Sequence, residues 1–167
     1  MRKKWIRRKK LMKIFEILVI FLIFLLIMAV MIIHQAKEPQ IKTKRTTINL
    51  VEKHAKFHGI NEFYTSNLGK TYYSVSGYNQ DGKPAYAIVS KNWENIQVIK
   101  HDDGISSNKA KNIALDGNKN KKVTNVGLSL LKNKPVWIVS MSSKDHHMSY
   151  SIINFYNGRV ISKINNI

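Results

Sequence analysis

Residues 71–90 read TYYSVSGYNQDGKPAYAIVS: two short runs rich in Tyr, Val, Ser and Ala, separated by Gln80-Asp81-Gly82-Lys83-Pro84. The runs have the side chains of strands and a period of two, and the joint has the residues of a reversing turn, so the stretch is an antiparallel hairpin. The pattern extends on both sides. The first strand starts at Lys70, Glu62 to Asn67 is a shorter strand before it, and Asn92 to Asn95 turn the chain into Ile96 to Ile99. Ahead of this meander the period changes to that of a helix. Thr46 or Thr47 supplies a capping hydroxyl, Ile48, Val51 and Ala55 form the apolar stripe, Leu50 and Phe57 widen it, and Gly59 is the expected stop.

The same plan follows a second time. After His101-Asp102-Asp103-Gly104 a helix is expected from Ser106 or Ser107, with Ala110, Ile113 and Ala114 on one face and Gly117 as its end. The loop Asn118 to Lys122 then leads to strands at Val123–Leu131, Pro135–Met141, Tyr150–Tyr156 and Val160–Ile164. Asn157-Gly158 has the composition of a type I′ turn, in which both central residues take positive φ. Sliding the sequence on itself by 64 places Lys70 on Lys134, Val75 on Val139, Ser76 on Ser140, Asp81 on Asp145, Tyr86 on Tyr150 and Ile88 on Ile152, with Tyr73 on Trp137. A shift of 65 aligns Ile48 and Leu50 with Ile113 and Leu115. Units of about 60 residues bury too little surface to be comfortable alone, so the two are expected to pack together.

Upstream lies ILVIFLIFLLIMAVMII, residues 17–33. A helix over it reaches about 25 Å, and Leu11, Met12, Ile14 and Phe15 extend it toward the roughly 30 Å of a bilayer core, with Lys13 and Trp5 near the headgroups. Arg2, Lys3, Lys4, Arg7, Arg8, Lys9, Lys10 and Lys13 precede it, whereas Lys37, Lys42, Lys44 and Arg45 follow. The bias leaves the amino terminus in the cytoplasm and the rest outside. Ile27 and His34 stand where a signal peptidase needs small residues, so an uncleaved anchor is expected. Glu16 near the start of the apolar run is a pilin-like feature, but Leu11 occupies the position of the required glycine, and Pro39 interrupts the long helix a pilin needs. Polar residues around Pro39 read as a stalk.

Of 167 residues, 28 are Lys or Arg and 10 are Asp or Glu, and none is Cys. The absence of Cys excludes a disulfide framework and thiolate metal sites. The segment from His34 onward carries a net charge of +11, which favours anionic neighbours such as lipid headgroups, wall polymers or nucleic acid. The lysines are dispersed, as in a solvated coat reflecting compositional bias. His54 and His58 are four apart on the expected helix, a spacing that grips a metal, yet no third ligand is near. Asp145-His146-His147 is turn chemistry, and Asp102-Asp103 is a helix lead-in. No phosphate-cradling glycine loop or nucleophile elbow occurs. Tyr72, Tyr73, Tyr78, Tyr86 and Trp93 among lysines would make a stacking platform for nucleic acid, against which Tyr73 and Trp137 share strand parity with core valines and only Arg45 and Arg159 lie beyond the anchor. No residue is singled out as catalytic, cofactor-binding, metal-binding or partner-binding.

TYYSVSGYNQDGKPAYAIVS, GISSNKAKNIAL and PVWIVSMSSKDHHMSYSIINFYNGRVI, behind one amino-terminal membrane helix, together resemble the cell-wall elongation regulator TseB family, also called YpmB-like. Gly104-Ile105-Ser106, Trp137 after Pro135, Tyr150 and Asn157-Gly158 carry the likeness; His146-His147 and the strong basicity depart from it. The resemblance implies an α+β fold in which a transmembrane helix precedes two tandem cystatin-like, PepSY-like domains, each a helix on an antiparallel meander. The expected divisions are 1–10 cytoplasmic tail, 11–33 anchor, 34–45 stalk, 46–101 first domain and 102–167 second domain. It also implies a non-enzymatic extracytoplasmic regulator of peptidoglycan elongation in a Gram-positive cell, without cofactor, whose partner is an elongation-type penicillin-binding transpeptidase. The alternatives are a module for anionic wall polymer or nucleic acid, nucleic acid being the weaker case, or a PepSY-type protease inhibitor.

Overall fold

A computed structural model describes residues 2–67, 69–116 and 120–165, with the side chains of residues 2–12, 14 and 33–39 outside the description. The backbone forms a long helix α1 (Arg2–Ala55), strands β1 (His58–Ser66), β2 (Tyr72–Tyr78), β3 (Pro84–Ser90) and β4 (Ile96–Lys100), a 3-10 turn at His101–Asp103, helix α2 (Ser107–Leu115), and strands β5 (Lys121–Leu131), β6 (Lys134–Ser143), β7 (Met148–Asn154) and β8 (Val160–Ile164). Two antiparallel four-stranded sheets result, in the orders β1-β2-β3-β4 and β5-β6-β7-β8. The chain divides into two units, Met1–Thr43 and Lys44–Ile167.

Within the first unit, Phe15–Ile32 is helical, has a mean hydropathy of 3.1 and is not buried against protein, so it is long and apolar enough to cross a membrane. The expected positions of Trp5, Leu11, Met12 and Ile14 lie outside the described side chains. A fresh helix start at Thr46 or Thr47 is not observed. α1 already runs through this point, Pro39 included, so residues 34–45, expected as a stalk, are helical. Proline removes one backbone donor from the helix at this point.

In the second unit the sequence repeat becomes a repeat of hydrogen-bond register. β2 pairs with β3 as Tyr73↔Val89, Val75↔Ala87 and Ser76↔Tyr86. β6 pairs with β7 as Trp137↔Ile153, Val139↔Ser151 and Ser140↔Tyr150, each pair displaced by the same 64 residues. The last turns of α1 cover the face of the first sheet that carries Val75, Ala85, Ala87 and Val89, to which Val51 and Phe57 are added. α2 covers the corresponding face of the second sheet at Trp137, Val139, Met141 and Ile153. Ser106 caps α2 as expected, its Oγ accepting from Lys109 N–H at 3.3 Å.

Several local expectations are corrected. α1 ends at Ala55 with Lys56 in the left-handed region at φ 52°, while Gly59 lies inside β1. The expected stop at Gly117 lies outside the described residues. The turn with two positive φ values, as type I′ requires, is Lys132-Asn133 at 49° and 62°, not Asn157-Gly158, where only Gly158 is positive. The reason is Phe155: fully buried, its N–H bonded to the Pro135 carbonyl at 3.1 Å, it lengthens that connection to the five residues 155–159. The Asn154 side chain then accepts from the N–H groups of Tyr156 and Asn157. Tyr73 is half-buried, stacked on Phe63 and Trp93, and is not a sealed core residue like Trp137.

The two sheets meet through the back face of the first. Tyr64, Tyr86, Ile88 and Ile99 join α2, Val126, Leu128, Trp137, Ile153 and Phe155 in one core. Trp137 sits edge-on to both Tyr64 and Tyr86, at 5.4 Å in each case, and its indole N–H donates to the Ile105 carbonyl at 2.8 Å. β1 crosses β5 so closely that a Cβ on Gly127 would lie 2.5 Å from the Thr65 carbonyl oxygen. Ser74 Oγ of β2 donates to the Leu128 carbonyl of β5 at 2.8 Å and Asn125 Nδ2 of β5 to the Thr65 carbonyl of β1 at 3.2 Å, so side chains of each sheet satisfy backbone acceptors of the other.

His101, at the passage from β4 to α2, stacks on Tyr86 with ring centroids 3.9 Å apart and has Nε2 3.1 Å from Ser76 Oγ. Burial holds its imidazole below the usual histidine range, opposed by the Glu62 and Asp102 carboxylates. Burial also pushes the Tyr86 phenol up to about 12, and raises that of Tyr64, which donates to Glu62 Oε2.

Replacing Trp137 by Ala is expected to cost about 3–5 kcal/mol in urea unfolding of the detergent-solubilised chain. Trp137→Phe, which keeps a ring but bares the Ile105 carbonyl, costs roughly 1–3 kcal/mol. Gly127→Ala costs roughly 1–3 kcal/mol, because β1 and β5 must separate. Because folding lowers the His101 pKa, its contribution to stability is complete above about pH 6.5 and is lost as pH falls through the folded value. The melting temperature therefore declines between about pH 7 and 5, and the decline is smaller in His101→Gln.

Candidate functional site

The groups that could have carried chemistry are kept apart by the fold. His54 is on α1 and His58 on β1, so the helical four-residue spacing does not exist; the His58 ring stacks on Tyr78 instead. Among the described residues no three His, Cys, Asp or Glu side chains converge as a metal site. Asp102 and Asp103 are exposed in the 3-10 turn, and Asp145, His146 and His147 are exposed in the connection between β6 and β7, with His146 at φ 64°. The aromatic set is divided by strand parity. Tyr73 stacks with Trp93 on the face covered by α1, whereas Tyr86 belongs to the opposite face and is buried in the joint core.

What the fold does assemble is a cleft of about 210 Å³ where the end of β1 overlies the outer face of the second sheet. Thr65, Ser66 and Asn67 form one wall, and Asn125, Ile138, Ser140 and Tyr150 form the other. Register explains the second wall: Ser140 pairs with both Asn125 and Tyr150, and Ile138 pairs with Gly127, so all lie on one face. Ser66 is 3% exposed and its Oγ has no hydrogen-bond partner among the described residues. Tyr150 is half-buried against a small apolar cluster of Val136, Ile138 and Ile152. Sequence inspection did not single out these residues. The offset of 64 that puts Tyr150 on Tyr86 signals equivalence of position, but only the packing of the two copies decides that Tyr86 is enclosed and Tyr150 faces a cleft.

Two family models match in succession. Residues 46–90 match the "Cell wall elongation regulator TseB-like domain", and residues 104–164 match the "Peptidase propeptide and YPEB domain", the PepSY family. Among solved structures, the YpmB protein from Bacillus subtilis is similar at 25% identity and a TM-score of 0.56, over 68% of this chain and 90% of that one. A chain described as a lipoprotein from Clostridium difficile 630 aligns at 16% identity and a TM-score of 0.37, over 72% and 90%, a likeness from which nothing is argued. No curated protein matches the sequence. A TseB-like domain followed by a PepSY domain, together with the structural likeness to YpmB, supports a TseB-like, or YpmB-like, family protein.

Proposed function

We propose that the protein is a membrane-tethered, non-enzymatic regulator of peptidoglycan elongation that acts by binding a penicillin-binding transpeptidase of the elongation machinery. The observation that carries the reading is the match of residues 46–90 to a domain described as a cell-wall elongation regulator, behind an apolar helix at Phe15–Ile32. The amino-terminal tail is cytoplasmic, residues 11–33 remain as an uncleaved anchor, residues 34–45 are a helical stalk, and the domains 46–101 and 102–167 work outside the membrane of a Gram-positive cell. Tethering raises the local concentration of the domains at the membrane, so a weak protein contact is enough.

A second reading, binding of anionic wall polymer, is favoured by a specific observation: Lys44, Lys53, Lys70, Lys83, Lys91, Lys100, Lys109, Lys122 and Lys134 are all exposed. Their spread over both domains rather than over one groove favours the protein partner. The match of residues 104–164 to a peptidase-propeptide domain keeps protease inhibition as a further possibility.

In-cell cross-linking from photoreactive residues on the outward strands is expected to capture an elongation transpeptidase; capture of no wall-synthesis protein sinks the reading. That contact persists in added salt, whereas polymer binding weakens steeply. Because the chain has no cysteine, single replacements map topology directly. Lys91→Cys is expected to react with an impermeant maleimide in wall-digested intact cells, and Lys4→Cys only after permeabilisation.

A further inference from the structure

We infer that the cleft between the end of β1 and the outer face of the second sheet is a binding site for a neutral sugar ring bearing an acetamido group. The first reason is electrostatic. In a chain with 28 Lys or Arg and 10 Asp or Glu, none of the described residues lining the cleft is charged. Polyanions and cations are attracted elsewhere on this surface, and the cleft selects an uncharged ligand.

The second reason is the kind of polar group present. Hydroxyls at Thr65, Ser66 and Ser140 and carboxamides at Asn67 and Asn125 each both donate and accept hydrogen bonds. This matches the hydroxyls and amide of an N-acetylated pyranose, which do the same. Tyr150 adds to the lining an aromatic ring, the group that stacks on the C–H face of such a sugar, and Ile138 an apolar one suited to an acetyl methyl.

Burial supplies a third, independent reason. The hydroxyl of Ser66, a residue of the cleft wall, is enclosed and has no hydrogen-bond partner among the described residues, a condition that costs free energy unless a ligand group meets it. Its position is fixed, because the close approach of Gly127 to the Thr65 carbonyl pins the end of β1 above the sheet. At about 210 Å³ the space is smaller than the roughly 300–1,000 Å³ of sites for drug-sized ligands, and it suits one ring of a longer glycan. The inference does not rest on the transpeptidase reading, and the cross-linking result is read independently of whether sugar binds.

The test is saturation-transfer NMR with chitotriose on the full chain in a detergent that is not a glycoside. Saturable binding is expected, insensitive to added salt and not competed by cellotriose, which lacks the acetamido groups. Tyr150→Ala and Ser66→Val are expected to weaken it about tenfold, the effect of losing one good contact, while Tyr150→Phe retains it. Asn67→Arg, at an exposed position of the rim where folding is not at stake, weakens binding likewise. Absence of saturable binding, competition by cellotriose, loss of binding with salt, or retained affinity in the variants that keep the parent unfolding midpoint would each overturn the inference.

Discussion

The indole of Trp137 lies where both sheets, α2 and the segment joining the two halves come together. Its ring fills the space between Tyr64 and Tyr86 of the first sheet, and its N–H reaches the backbone of Ile105 just ahead of α2. A four-stranded meander with one short helix leaves one face bare, and at this size that face needs a cover. For the first copy the cover is the second copy. The joint core includes residues from both, so neither half is complete by itself.

This dependence explains the features that cluster nearby. β1 and β5 come into backbone contact, which only a glycine at position 127 permits, and the acceptors at their crossing are met by Ser74 and Asn125. Gly104 is held equally tightly: a Cβ there would lie 2.4 Å from the Phe155 ring. Phe155 in turn lengthens the β7–β8 connection. One requirement, sealing the joint, thus selects two glycines, a turn geometry and the polar residues at the strand crossing.

Most of the architecture was legible in the sequence, because it rests on local periodicity. The strands, the Ser106 cap and the offset of 64 all follow from residue spacing, and the offset reappears as strand register. The misreadings share a different origin. Asn157-Gly158 has the composition of a tight turn, but the burial of Phe155 overrides it; Lys132-Asn133 takes the left-handed conformation without such a signal. Pro39 marks a break in most helices, and here the helix continues. His54 and His58 had the right spacing on an element that ends one residue after His54. The cleft was not legible at all, since its walls come from strands some 60 residues apart, and no pattern along the chain records which copy covers the other.

The identical register of the two hairpins has a consequence for how substitutions are interpreted. Tyr73 and Trp137 occupy the same node of the same blueprint, yet one stacks at a half-open margin and the other closes the joint. Equivalence of place in the repeated register is therefore uncoupled from equivalence of constraint. Sequence drift at the first position is buffered by solvent, while at the second it is felt by both halves at once, and the tolerance measured in one copy does not transfer to its twin.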